Sequence, residues 1–139
     1  MTATTGSQIG QIHALLAERG YEITQASGNT LKIREVDSGL SIQAVLEGDI
    51  LYFSLVCTVV PKSKVTADVM HKMLAADNGI STSYFQLYEA KDGKTAVTLN
   101  NFCKLQDLGA DDTDDILSCV HFLLVDVISA KNLLGKLGE

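Results

Sequence analysis

Residues 116–128 read ILSCVHFLLVDVI, an almost unbroken apolar run inside a longer helical pattern from about Asp112 to Leu137. On a helical wheel Asp114, Ser118, His121, Ser129, Asn132 and Lys136 form one narrow polar stripe, interrupted by Val125. Ile116, Leu117, Val120, Phe122, Leu123, Leu124, Val127, Ile128, Leu133 and Leu134 fill most of the remaining circumference. A surface helix usually needs an apolar arc of about 100° or a little more. This arc is wider, so the helix has to be covered on more than one side. The uninterrupted run is about 13 residues, against roughly 20 for a membrane span, and His121 and Asp126 lie within it. The pattern predicts a helix buried in protein and no membrane span.

The segments upstream supply the sheet that such a helix needs. Leu40, Ile42, Ala44 and Leu46 alternate with Ser41, Gln43 and Glu47, as in a strand with one wet face. Gly48-Asp49 is a two-residue hairpin connection. Residues 50–60 then carry apolar side chains at both parities, which predicts a central strand covered on both faces and ended by Pro61. Further back, Tyr21 to Ala26 leads into Ser27-Gly28-Asn29, and Thr30 to Val36 alternates again up to the turn Asp37-Ser38-Gly39. The first helix is expected to start at Ser7 and stop at Gly20, with Ile9, Ile12, Leu15 and Leu16 inward. Residues 1–6 are expected to be disordered.

A second helix is predicted to open at Thr66, with Val69, Met70, Met73 and Leu74 inward, and to end at Asn78-Gly79. Two further strands, 83–90 and 95–105, flank Asp92-Gly93, a strong hairpin signal. The order is α-β-β-β-α-β-β-α, an α+β class with an antiparallel sheet of about five strands and one domain over residues 1–139.

Charge and cysteine usage narrow the function classes. A net charge of −6 and a pI near 4.9, without any basic run, argue against nucleic acid as a partner. The N-terminus has no charged and apolar leader, and Cys57, Cys103 and Cys119 are widely spaced in apolar segments; both features predict a cytoplasmic protein with reduced thiols.

No motif carries catalysis. Asp114 and His121 stand about 10.5 Å apart along a helix axis, too far for a triad through Ser118. Cys119 and His121, two residues apart on a helix, point nearly opposite ways. Asp111, Asp112, Asp114 and Asp115 lack the central glycine and terminal Glu of a calcium loop, and serve a helix N-terminus instead. His13, His71 and His121 share no ligand spacing. No metal and no cofactor are expected.

The order of elements on a small acidic chain, with the texture VTADVMHKMLAADNGISTSYFQLYEA at 65–90 followed by the hairpin, resembles the type III secretion chaperone-like fold. Within it the chain is similar to the YbjN-type bacterial sensory transduction regulator family, or to another bacterial family of the same fold. The resemblance covers residues 9–137. It implies a non-enzymatic protein, a homodimer that binds a segment of a client protein, and it carries over no catalytic residues. The alternative is a small enzyme or small-ligand-binding domain whose site has no recognisable motif. Independently of the resemblance, the apolar arc with Leu117, Leu124 and Ile128 would stay wet in a monomer, which forgoes several kcal/mol at about 25 cal/mol per Å². That arc, with Val69, Met70, Met73 and Leu74 of the second helix, is the expected dimer or partner interface.

Overall fold

The computed structural model describes residues 3–135, with side chains from residue 8. Its elements are α1 (Ala3–Glu18), β1 (Glu22–Ser27), β2 (Thr30–Arg34), β3 (Ser41–Glu47), β4 (Ile50–Pro61), α2 (Ala67–Leu74), β5 (Tyr84–Glu89), β6 (Lys94–Lys104) and α3 (Ala110–Leu134). The class is α+β, as expected. The antiparallel sheet has six strands in the order β1-β2-β3-β4-β6-β5. The strand beyond the expected five arises because residues 22–27 pair with β2 as a strand of their own, Ile23 against Ile33. The chain forms two compact units: residues up to 54 with 102–121, and residues 55–101 with 122 onward. β4, β6 and α3 each pass through both.

In the first unit, α1 lies against β1 and β2 and buries Ile9, Ile12 and Leu16. It ends in a Schellman arrangement: Gly20, at φ 95°, donates to the Ala17 carbonyl at 3.0 Å, and the Tyr21 amide to that of Leu16 at 3.3 Å. The expected stop at Gly20 is therefore met, but the start is not. The helix begins at Ala3, so Ser7 lies within it and residues 3–6 are helical. The expected disorder of Met1 and Thr2 falls outside the described residues, as do Lys136 and Leu137. Leu31, Ile33, Ile42, Ala44, Leu51 and Phe53 are buried, and the pairings Leu31 to Ala44 and Ala44 to Phe53 put them on one face. Gly48, at φ 63°, makes the β3–β4 connection, because a two-residue hairpin of this kind asks for positive φ at its first central position.

The loop from β6 into α3 holds Asp107 and Leu108 in the left-handed region, at φ 62° and 54°. Buried Asp112 stabilises that loop: its Oδ2 accepts from the amides of Gln106 at 2.6 Å and Leu108 at 2.7 Å. It thus reaches back from the first turn of α3 and pins the chain that enters the helix.

In the second unit, Met73, Val97 and Leu134 make a buried cluster, against which Cys57, Val65, Val69, Phe85 and Leu133 pack. Thr66 caps α2 by accepting from the Val69 amide at 3.2 Å. Asn78 closes the helix from the other end, donating to the Met73 carbonyl at 2.6 Å. At eight residues α2 makes only about two turns, so it presents one stripe, 69 and 73, to the core. Met70 and Leu74, expected inward, are 37% and 79% exposed instead.

One further expectation changes. β4 is central in the sheet order, but Tyr52, Val56 and Val59 on it are exposed, so it is not covered on both faces. α3 runs for 25 residues and is long and apolar enough to cross a membrane by length and composition. Its sheltered side chains, Ile116, Val120, Leu123, Val127, Ala130 and Leu134, repeat every three or four residues and are buried within the protein. That spacing is what a core helix requires.

Candidate protein-binding surface

β5 reads YFQLYE and lies at one end of the sheet order, so one side of its backbone ladder pairs with no strand among the described residues. Edge strands are commonly blunted by Lys, Pro, bulges or shortness. β5 carries none of these over residues 84–88. Its register against β6, Leu87 opposite Val97 and Tyr88 opposite Ala96, points Leu87 and Tyr88 to opposite faces. Beside this edge is a pocket of about 190 Å³ lined by Lys62, Val65, Met70, Leu87, Tyr88, Glu89 and Thr95. Its floor is apolar, and Lys62 and Glu89 bring one charge of each sign to it. A void of that size accepts a side chain or two; small-molecule sites usually offer about 300–1,000 Å³.

The strand and α2 are held in register with the rest of the second unit by Asp126. This carboxylate, 1% exposed, accepts from the Ser81 amide and hydroxyl at 3.1 and 2.9 Å. Its other oxygen accepts from the Ser83 amide and hydroxyl at 3.4 and 2.9 Å. Burial alone would push its pKa up, but the hydrogen bonds from Ser81 and Ser83 outweigh burial and hold it below the usual carboxylate range. A lone carboxylate inside an apolar run is itself a sequence signal, since a buried charge requires partners.

Two solved structures share this architecture. YbjN, a candidate transcription regulator from E. coli, superposes with a TM-score of 0.66 at 13% identity, over 89% of this chain and 90% of that one. A chain of the heterodimeric ExoU–SpcU complex, from the type III secretion system of Pseudomonas aeruginosa, gives a TM-score of 0.57 at 18% identity, over 92% and 98%. The fold is that of the type III secretion chaperones. No family model matches the chain, and no curated protein matches it either.

On this chaperone-like fold the residues expected at an interface are spread over different environments. Met73 is core, and Val69 packs half-buried against it. Leu117 and Leu124 are half-buried. Met70 lines the pocket, while Leu74 and Ile128 are 79% and 65% exposed. The reading of the sequence missed Leu87 and Tyr88 at the free edge, and Tyr52 and Phe102, whose exposed rings lie 6.1 Å apart in the first unit.

The residue types of the rejected triad, Asp114, Ser118 and His121, are all exposed on α3. Cys119 turns the other way, sharing a hydrogen bond with Cys103. Among the described residues no three His, Cys, Asp or Glu side chains gather as a metal would require. Burial pushes the Cys57 thiol up to about 11, although Lys131 and the Leu99 backbone oppose it. At pH 8 its thiolate is scarce, so Cys57 should alkylate on the order of 100-fold more slowly than a free cysteine of pKa about 8.5. A time course with iodoacetamide, read by peptide mass, checks this; a rate equal to that of free cysteine contradicts it.

Proposed function

We propose that this protein is a non-enzymatic, chaperone-like adaptor of the cytoplasm that binds an extended segment of a client protein and works as a homodimer. The observation that carries the reading is the unblunted β5 edge beside an apolar pocket. Strand addition draws affinity from main-chain hydrogen bonds and specificity from pockets for alternate side chains, and this edge offers both. The client segment then lies along residues 84–89 with an apolar side chain in the pocket floored by Val65, Met70 and Leu87. A chain of the heterodimeric ExoU–SpcU complex shares this fold, so an architecture like this one occurs paired with another protein. A catalytic reading has less support, because the pocket is small and both oxygens of buried Asp126 are committed to Ser81 and Ser83.

The experiment is selection from a random peptide library displayed on phage. The expected result is enrichment of sequences with apolar residues at alternate positions, and the absence of any enriched sequence contradicts the reading.

Self-association follows from α2 and α3. Leu74 at 79%, Ile128 at 65% and Val125 at 45% exposure are large apolar side chains left to water. Patches of such residues usually mark an interface, and a twofold pair is the commonest solution. In sedimentation at micromolar concentration the protein should run at twice its 14.9 kDa chain mass, and Ile128→Asp should shift it toward monomer without unfolding it. A wild-type monomer overturns the dimer. Met73→Asp is no test, because Met73 is 3% exposed in the core.

A further inference from the structure

The free edge has a fixed alternation. The Ala90 amide donates to the Lys94 carbonyl at 2.8 Å and closes the β5–β6 hairpin. In an antiparallel ladder, a residue that turns its N–H and C=O toward the neighbouring strand is followed by one that turns them away. The register runs from Glu89 opposite Thr95 to Tyr84 opposite Asn100 without a bulge, so this alternation carries unbroken from Ala90 back to Tyr84. Side chains of β6 mark the same parity. The Thr98 hydroxyl donates to the Gln86 carbonyl at 2.9 Å, and Asn100 Nδ2 donates to the Tyr84 carbonyl at 3.4 Å. Both donors are buried, which keeps these bonds from water. Tyr84, Gln86 and Tyr88 therefore commit their main-chain groups to β6, whereas Phe85, Leu87 and Glu89 point theirs out of the sheet.

The outward-pointing residues also share one face. Leu87 and Glu89 line the pocket with Val65 and Met70, and half-buried Phe85 packs on the cluster of Met73, Val97 and Leu134. The unpaired main-chain groups and the pocket thus belong to the same side of the same residues.

We propose that the client segment pairs antiparallel with β5 through Phe85, Leu87 and Glu89, and that the residue filling the pocket is the one paired with Leu87. This rests on the strand-addition reading above and gives it a register and a direction. The pairings β1–β2, β2–β3, β3–β4 and β5–β6 are all antiparallel. An antiparallel addition keeps the sheet of one kind and makes straight rather than slanted bonds.

The direction has a chemical consequence for the client. Opposed residues in such an antiparallel pair exchange both N–H···O=C bonds, and their side chains lie on one face. The pocket residue must therefore keep its own N–H, as must the residues two places before and after it. The residues in between turn their N–H to water. A parallel strand reverses this, because each β5 residue then bonds the two neighbours of the client residue beside it. Proline fits a strand only where its nitrogen faces away from the ladder. The client is accordingly an extended segment with an apolar residue in the pocket, no proline there or two places away, and proline tolerated at the positions between.

The probe is the tightest peptide from the phage selection, synthesised with a single N-methyl group at each position in turn and titrated against the full wild-type chain. Nuclear Overhauser contacts to the Met70 methyl identify the pocket residue. N-methylation of that residue should weaken Kd at least about 10-fold, and of either neighbour less than about 3-fold. Weakening confined to the neighbours would show a parallel strand and overturn this proposal while leaving strand addition standing. Equal tolerance at every position, or no selected peptide at all, would remove strand addition and this register with it. The alternation is also read without peptide. In residue-resolved amide exchange of the free protein, Phe85, Leu87 and Glu89 should exchange at least about 10-fold faster than Gln86 and Tyr88. An equal or opposite pattern overturns the register.

Discussion

Asp126→Asn lowers the Tm by roughly 10 °C at neutral pH, an effect out of scale for replacing one oxygen by an NH₂ group. Four hydrogen bonds converge on this carboxylate, and bonds to a charged acceptor contribute about 1.5–3 kcal/mol each when sheltered. Ser81 is exposed and Ser83 half-buried, so their donors recover water when the acceptor is lost, and the total falls to about 3 kcal/mol. For a chain of this size that corresponds to roughly 10 °C. The pH dependence has a definite sign. The folded pKa of Asp126 is depressed, so the unfolded chain takes up its proton first as pH falls. The contribution is present in full above the unfolded value of about 3.9 and disappears as pH drops through the folded one. Denaturant titrations of wild type and Asp126→Asn at pH 7 and pH 3 read this directly. The gap between them should narrow markedly at pH 3; an equal gap at both values, or none at pH 7, contradicts the role assigned to the clamp.

Leu87→Asp abolishes binding of a selected peptide while leaving the fold intact. Leu87 is 40% exposed on an edge strand, so an aspartate there is solvated in the free protein and costs little stability. In the complex the same carboxylate would be buried against Val65, Met70 and the client side chain, in a pocket where the charge of Lys62 is already opposed by Glu89. Loss of the apolar contact together with burial of the charge amounts to at least about 3 kcal/mol, on the order of 100-fold or more in Kd. Titration calorimetry with a selected peptide measures it, and circular dichroism confirms the fold. Unchanged affinity places the binding surface elsewhere on the molecule.

The fold was legible where local patterning is strong. The alternation through Leu31, Ile33, Ile42 and Ala44, the Gly48-Asp49 and Asp92-Gly93 connections, and the Gly20 stop all survive in the structure, since each is set by its own few residues. Asp92 and Gly93 both adopt positive φ, at 61° and 72°, which the dipeptide permits. What failed depends on partners remote in sequence. Met70 and Leu74 are apolar and helical, but only the 69 and 73 stripe of α2 meets the buried cluster, and 70 and 74 lie about 100° round the helix from it. Tyr52, Val56 and Val59 gave β4 the look of a strand buried on both faces, yet no element covers them among the described residues.

The candidate site was hidden for the same reason. YFQLYE becomes an edge only because β6 returns to pair with β4, an ordering that no local pattern encodes. Asp126 and the cysteine pair left partial traces, a lone charge in an apolar run and thiols in buried segments. Their partners, Ser81 with Ser83 and Cys103 with Cys119, meet only through packing.

The most direct test of strand addition at β5 is amide hydrogen exchange of the wild-type protein with and without a selected peptide. Residues 84–89 form the edge, so their outward amides gain partners when a strand is added. Saturating peptide should slow exchange there by an order of magnitude or more, while β1 at the opposite end of the sheet order stays unchanged. Bound peptide with unaltered exchange over 84–89, or with protection confined to residues outside β5 and the neighbouring pocket, contradicts binding at this edge.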